Sequence, residues 1–286
     1  MSVRNNEDRF AAPPAPEPPP LDNFEQKSTL SFAVPTEFVD LPSKGKFYPP
    51  EHPLYDVDSV EIKYMTAKEE DILTSPSLLR KGLTLDRLIE NIVIDKRVKA
   101  NGLLVGDKNA ILLASRVTGY GADYNANVTC PVCGTLNKHQ FDLEKVEIVN
   151  LTKEDMEKWD ISKGEENDYF VKLPVTYATV GVYFMTGADE KKLLLLTEKK
   201  KKLKLQETAL TDNLKMIIKS ANGQKSIDVI NNLVNNMPAK DSRHLRIAYS
   251  KIIPNVDLSQ QFECAECGIK EEVNIPLTAE FFWPKQ

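Results

Sequence analysis

The sequence lacks the features that would assign it to a membrane or to a secretory route. Its 286 residues contain no apolar run long enough to cross a bilayer. The first nine residues lack the apolar core of a signal peptide. These absences predict a chain that stays in a reducing cytoplasm unless it is built into a larger assembly, where paired thiols act as metal ligands rather than as disulfides.

Motifs of the common catalytic classes are also missing. The sequence contains neither a GxSxG nucleophile turn nor an HExxH zinc motif. Residues 102–109 resemble a phosphate-binding loop, but they have one residue too few between the glycines and lack the final Ser or Thr. The three histidines, His52, His139 and His244, have no partner at a recognisable spacing. We therefore expect a protein that is not an enzyme.

Composition predicts a globular chain rather than a basic nucleic-acid binder. Hydrophobic residues make up 41% of the sequence and charged residues 28%, which is enough apolar material for a sizeable core. The formal net charge is −5. A negative balance argues against sequence-independent binding of nucleic acid, so we expect neither a nucleic-acid nor a membrane partner.

The four cysteines form two short pairs, each followed by glycine: Cys130, Cys133, Cys264 and Cys267. Two residues between thiolates let one tight turn present both sulfurs to a single cation, and the glycine relaxes the turn. Two such turns that face each other make a tetrahedral four-thiolate site. Such a site has no open position for a reactive water, so the pattern predicts a structural zinc held by these four residues.

Two other uses of the thiols compete with zinc. A thiolate tetrahedron also holds the single redox iron of rubredoxin-like proteins, although nothing else in the sequence indicates electron transfer. A thioredoxin-like oxidoreductase would need one reactive pair at a helix N-terminus, whereas both pairs here lie between strand signals. His139 follows Cys133 by six residues, but four cysteines already complete a tetrahedron.

Strand patterns flank both cysteine pairs in a similar order. Residues 128–130 lead into the first turn and 141–143 follow it, while 262–264 lead into the second and 273–277 follow that one. Each half is predicted to be a β-hairpin with a CxxCG knuckle at its tip, and the two hairpins are predicted to pair as a zinc ribbon. Zinc ribbons separate their halves by roughly 15–20 residues, whereas 130 residues separate Cys133 from Cys264. The intervening chain is therefore predicted to be an insertion closed at its base by metal.

The sequence divides into four parts under this interpretation, and the fold class is α+β. Residues 1–30 form a proline-rich, disordered arm, with six prolines between positions 13 and 20, which stays flexible or becomes ordered against a partner subunit. Residues 31–150 form the core domain with the first hairpin. Residues 151–255 form an inserted, mostly helical subdomain, and residues 256–286 supply the second hairpin.

Local patterns predict the elements of the core domain. Residues 57–64 alternate as a half-buried strand, and Thr66 with Glu69 forms a capping box that begins a helix. A second helix is predicted from Leu83 to about Val98. A third begins at Asp107 as its N-cap and ends at Gly119.

The insertion is predicted to contain two strands, at 169–173 and 175–184, followed by a long helix from Asp189 to about Ala221. The leucines of this helix form a heptad-like stripe. The stripe is predicted to pack on the helix's own domain or, alternatively, to form an intermolecular coiled coil. The lysine run at 199–204 is interpreted as a solvated face, with a phosphate-binding patch as the alternative. Two shorter helices are expected at 226–236 and 239–252.

A series of segments in the first half resembles the baseplate hub subunit family of T-even-type tailed bacteriophages. The resemblance covers roughly residues 38–150, with the second knuckle as a further match. The segments that carry it are Leu41-Pro42-Ser43-Lys44-Gly45-Lys46-Phe47-Tyr48, Thr66-Ala67-Lys68-Glu69-Glu70-Asp71-Ile72-Leu73, Leu103-Leu104-Val105-Gly106-Asp107-Lys108-Asn109-Ala110, Tyr120-Gly121-Ala122-Asp123-Tyr124 and Cys130-Pro131-Val132-Cys133.

The resemblance implies a non-enzymatic component of a contractile tail, located in the virion baseplate and assembled in the host bacterial cytoplasm. Other hub proteins are the implied partners, and a symmetric hub favours a homo-oligomer. A tail-assembly chaperone absent from the mature virion is one alternative. A zinc-ribbon nucleic-acid adaptor that uses the 199–204 lysines is another. The proline-rich arm and the lysine-rich helix are not part of the recognised pattern.

Overall fold

The first half of the described chain begins with a two-stranded antiparallel sheet and continues as four helices. The computed structural model describes residues 34–165, 167–275, 277 and 279–282, so the predicted arm at 1–30 lies outside the described residues. The elements are β1 (Thr36–Asp40), β2 (Ser59–Lys63), α1 (Ala67–Thr74), α2 (Pro76–Lys81), α3 (Thr84–Ile92) and α4 (Val105–Tyr120). β1 and β2 pair antiparallel with Val39 opposite Val60.

The predicted capping box is present at the start of α1. The Glu69 carboxylate accepts hydrogen bonds from the Thr66 amide at 2.8 Å and from its hydroxyl at 2.5 Å. Lys63 donates to the same carboxylate at 2.7 Å, so β2 is joined to α1. The Glu69 side chain is fully buried, and these bonds satisfy it.

Two predicted helix boundaries in the first half are wrong. The second predicted helix ends at Ile92 rather than near Val98, because Val93 bridges to Ile62 of β2. The third begins at Val105, so Asp107 lies inside its first turn and Leu104 occupies the N-cap position. Tertiary contacts, not local propensity, determine both boundaries.

Each cysteine pair lies at the turn of an antiparallel hairpin. The first hairpin consists of β3 (Asp123–Thr129) and β4 (Leu136–Asp142), and the second of β9 (Ser259–Glu263) and β10 (Lys270–Asn274). The hairpins form separate two-stranded sheets, so the expected pairing as a single ribbon is wrong at the level of the backbone ladder. The Gln260 side chain joins them by donating to the Asp142 carbonyl at 2.5 Å and accepting from its amide at 3.1 Å.

The chain between the hairpins contains helices packed on a four-stranded antiparallel sheet, whereas the sequence patterns predict only two strands. The sheet order is β5-β6-β7-β8. The elements are α5 (Lys153–Lys158), β5 (Ile161–Lys163), β6 (Tyr169–Lys172), β7 (Thr179–Val182), α6 (Gly187–Lys202), α7 (Ala209–Ile217), β8 (Ile218–Ala221), α8 (Ile227–Asn235) and α9 (Ala239–Ile252).

The predicted long helix from Asp189 to Ala221 is wrong in this region. It ends at Lys202, a second helix begins at Ala209, and Ile218–Ala221 forms a strand. Lys200 on α6 donates to Asp212 on α7 at 2.5 Å and also bonds to Thr208. These contacts hold α7 against α6, so the heptad-like stripe does not form one continuous seam.

The described residues contain two main hydrophobic clusters, one built from both ends of the described chain and one from the part between them. One cluster includes residues of β1, β2, α1, α3 and α4, together with Val256, Ile275, Phe281 and Phe282 from the end of the chain. The other is formed by residues between Ile161 and Ile252. Among the described residues, no helix is long and apolar enough to cross a bilayer.

The chain segments that precede and follow the second cluster pair with each other. The Val149 amide donates to the Asn255 carbonyl at 2.8 Å, and the Asp257 amide donates to the Glu147 carbonyl at 2.7 Å. Ile148 and Val256 form an isolated antiparallel bridge between these bonds. Backbone hydrogen bonds therefore join the segments 147–149 and 255–257, in addition to the contacts between the two cysteine hairpins.

Candidate metal centre

The two CxxCG turns repeat the same backbone geometry. In the first, the Cys130 amide donates to the Thr135 carbonyl at 2.9 Å, and the Gly134 amide donates to the Cys130 carbonyl at 3.0 Å. The second turn repeats both bonds from the amides of Cys264 and Gly268. Both glycines adopt positive φ, 72° and 67°, where a residue with a Cβ would be strained. The internal repeat seen in the sequence is thus a repeat of structure.

All four predicted ligands come together at the hairpin tips. Their sulfur atoms lie within 4.8 Å of one another, with 3.7 Å between Cys130 and Cys267 and 3.6 Å between Cys133 and Cys264. A disulfide would require about 2.05 Å. Four thiolates at 2.3 Å from a tetrahedral zinc would be roughly 3.8 Å apart. The donor set and its spacing therefore fit a tetrahedral thiolate site.

Asn137 on β4 connects the two halves of this site, and no pattern in the sequence indicates it. Its side-chain amide donates to the Cys264 sulfur at 3.5 Å and to the Thr135 carbonyl at 3.0 Å. Its side-chain oxygen accepts from the Ala265 amide at 3.1 Å. A buried side chain of the first hairpin thus orients the second knuckle.

The thiols differ in how easily they lose a proton. Hydrogen bonding to the side chain and the backbone of Thr135 lowers the pKa of Cys133 to about 6. The Ile269 amide lowers the pKa of Cys267, but desolvation and the neighbouring thiols outweigh it and raise the pKa to about 12. Collecting four thiolates within a few ångströms is unfavourable without a cation, because their negative charges repel.

The histidines lie away from the sulfur cluster. His139 packs edge-on against Phe141 and Phe262, with ring centroids 4.7 and 5.4 Å away. His52 stacks on Tyr48, and His244 bonds to the carbonyl oxygen of Trp159. Their roles are in packing and hydrogen bonding between segments.

A buried carboxylate, Asp107, joins two of the segments that carry the family resemblance. It accepts from the Ser43 amide at 2.9 Å, from the Ser43 hydroxyl at 2.6 Å and from the Tyr48 hydroxyl at 2.7 Å. The same Tyr48 oxygen accepts from the Leu104 amide at 3.0 Å, which satisfies the start of α4. Burial raises the pKa of Asp107 above its usual range, although the Ser43 and Tyr48 bonds oppose that effect.

The neighbouring Lys108 links the two halves of the protein. Its ammonium lies 2.9 Å from Asp86 on α3 and 3.0 Å from Glu190 on α6. Desolvation lowers the pKa of this amine, but the two carboxylates outweigh it and raise the pKa above its usual value. Gly106 packs so closely on the Pro254 backbone that an added Cβ would lie 1.8 Å from the carbonyl oxygen. The Gly106-Asp107-Lys108 segment therefore contacts α3, α6 and the segment at Pro254.

Comparison with known proteins identifies the family. The family described as T4 bacteriophage base plate protein matches residues 34–283, which include both cysteine hairpins and the Asp107 network. Neither the comparison with curated proteins nor that with solved structures gave a match. Because the match covers most of the sequence, the chain belongs to the T4 bacteriophage base plate protein family.

Proposed function

We propose that this chain is a non-enzymatic structural component of the baseplate hub, at the centre of the phage tail tip. The family match over residues 34–283 is the observation that carries the proposal. The hub assignment draws on the resembling segments, two of which meet at Asp107. Buried polar contacts of this kind fix the positions of segments relative to each other, as a subunit with defined neighbours requires.

The proposal includes a structural zinc held by Cys130, Cys133, Cys264 and Cys267. The sulfur spacing supports it, and four thiolates would leave no coordination position for substrate or water. Zinc binding to a thiolate site supplies folding free energy, on the order of 10 kcal/mol in small peptides. Iron in the same tetrahedron is the competing occupant, and elemental analysis separates the two.

We further propose that the metal closes the base of an inserted subdomain. In this division, residues 31–150 and 256–286 form the core, and residues 151–255 form the insertion. The backbone bonds between Glu147 and Asp257 and between Val149 and Asn255 support it, since they lie where the two parts meet. A fixed base would let the surfaces of the insertion meet other hub proteins in a constant orientation.

Mass spectrometry of purified virions tests the structural role, with a cryo-EM reconstruction of the tail tip to locate the chain. The proposal predicts a fixed copy number of this chain in mature tails and density for it on the tail axis. Its presence in assembling baseplates but not in virions would instead establish an assembly chaperone. Peripheral density away from the axis would retain the baseplate role and exclude the hub.

A further inference from the structure

Helix α6 carries an apolar face that the fold leaves exposed. Leu194 and Leu195 are 49% and 56% exposed, although leucine is usually buried. They line an open groove of about 580 Å³, and Leu79 of α2 also lines it. The groove has room for several leucine-sized side chains from another molecule.

Two of the charged residues that line this groove, Lys191 and Glu198, are placed so that they can pair with their counterparts in a second copy. The groove is also lined by Arg80 and Lys81 and by Lys108, which is already paired with Asp86 and Glu190. Lys191 and Glu198 line the same groove, one turn before and one turn after the leucine pair. Glu198 makes a long contact of 4.0 Å with Lys202, and both side chains are exposed. Such an ion pair is weak, so the Glu198 carboxylate can still pair with a cation of another molecule. One face of α6 therefore presents a cation, two leucines and an anion in sequence.

We propose that this face of α6 is the interface between two copies of the chain. An antiparallel second α6 centred between Leu194 and Leu195 places each Lys191 opposite Glu198 of the other copy. The leucine pairs then meet at the two-fold axis, as an isologous interface requires. Antiparallel helix dipoles favour the same orientation.

A second copy suits this face better than a generic partner does. A partner of one charge sign would satisfy either Lys191 or Glu198 and leave the other opposite a like charge, whereas an antiparallel copy satisfies both. The inference goes beyond the hub assignment and does not rest on it, since self-association through α6 is a property of the isolated chain. It likewise requires no metal.

Analytical ultracentrifugation of the full chain tests this interface. We expect a concentration-dependent dimer. Leu194→Glu should raise the dimer dissociation constant by about ten-fold or more, because it places a charge at the apolar centre. Leu210→Glu is the matched control: Leu210 on α7 is also exposed, at 46%, but does not line the groove, so this variant should dimerise like the wild type. Thermal melts followed by circular dichroism confirm that both variants are folded.

Charge reversal tests the antiparallel register itself. Lys191→Glu and Glu198→Lys should each weaken the dimer by about ten-fold, since each creates two like-charged pairs across the axis. The double variant should recover the wild-type affinity, because the reversed pairs attract again. A chain that is monomeric throughout the concentration range, a dimer that Leu194→Glu leaves intact, or a double variant weaker than both single variants would overturn the proposal. If the chain is monomeric at every concentration, the groove would instead be a binding surface for a different protein.

Discussion

At the scale of single residues, Asn137 provides the clearest link between the two cysteine hairpins. It is buried, donates to the sulfur of Cys264 and accepts from the amide of Ala265, so one side chain contacts both the candidate ligand and its turn. Outer-shell groups of this kind orient metal ligands and tune their affinity. Asn137 therefore contacts the candidate metal centre without being one of its four cysteines.

We predict that Asn137→Ala lowers metal affinity by about 10–100-fold and the free energy of unfolding by about 1–3 kcal/mol. The reason is that the Ala265 amide loses its acceptor and the Cys264 sulfur loses a donor. Competition with a chromogenic chelator measures the affinity, and urea unfolding measures the stability. Asn127→Ala, at an exposed position of β3, serves as the control. Equal affinities in the two variants would show that Asn137 has no role in the site.

Residue patterns in the sequence locate the four cysteines of the candidate site but not the groups that contact them. Cys130, Cys133, Cys264 and Cys267 are recognisable because their chemistry and spacing are local. Asp107 is predicted to be an N-cap for the same local reason, yet its carboxylate bonds to Ser43 and Tyr48, 64 and 59 positions away. Contacts between residues so far apart in the chain cannot be recognised from the periodicity of a single sequence.

At the scale of elements, the start of α6 depends on one carboxylate. Asp189 accepts from the Thr186 amide at 3.1 Å and from its hydroxyl at 2.9 Å, and also from Tyr183 and Lys192. Desolvation raises the pKa of Asp189, but the bonds from Lys192 and Thr186 outweigh it and lower the pKa to about 2, from an ordinary value of 3.8. The ionised form is therefore favoured in the folded state.

This depressed pKa sets the sign of a pH dependence. The stabilisation from Asp189 is present above pH 4, where the unfolded chain is also ionised, and is lost as the pH falls from about 4 towards 2. Asp189→Asn should cost about 2 kcal/mol at neutral pH and should flatten the stability profile in this acid range. Chemical unfolding at a series of pH values measures both effects. Asp228→Asn, at an exposed position in the first turn of α8, is the control, and an unchanged profile for Asp189→Asn would contradict the assignment.

Two glycines in α4 provide a second test at this scale. Replacing a helical glycine by alanine ordinarily stabilises a helix by up to about 1 kcal/mol. Gly106→Ala should instead destabilise by about 1–3 kcal/mol, since the added methyl group meets the rigid backbone of Pro254. Gly119→Ala, in the same helix, meets only the flexible end of Met65 and should be better tolerated. Similar melting temperatures for the two variants would show that α4 does not pack tightly on the segment at Pro254.

Elements with strong local signals are predictable from the sequence, and those formed by distant contacts are not. The capping box at Thr66 and the helices α8 and α9 follow from caps and apolar periodicity. The sequence pattern predicts that Ile218–Ala221 is helical. In the structure this segment is strand β8, which pairs with β7 and completes the four-stranded sheet. Periodicity likewise predicts one helix where the structure has two, α6 and α7, which the bond between Lys200 and Asp212 connects.

At the scale of the whole molecule, two connections join the chain segments on either side of the second hydrophobic cluster. Backbone bonds pair residues 147–149 with 255–257, and the four sulfurs come together at the tips of the two hairpins. Lys108 adds an ionic link between α4 and α6. We expect metal binding to stabilise these connections, and the surfaces of the baseplate protein to depend on them.

Metal content of the purified full chain, measured by elemental analysis on wild type and on Cys264→Ser, tests the four-cysteine site most directly. We expect one zinc per chain in the wild type, little in Cys264→Ser, and a matching loss of thermal stability when a chelator is added to the wild type. Ala265→Ser is the control, because it alters the exposed neighbouring residue and should keep the metal. A wild-type chain without metal, or a Cys264→Ser variant with unchanged zinc, would contradict the four-cysteine site.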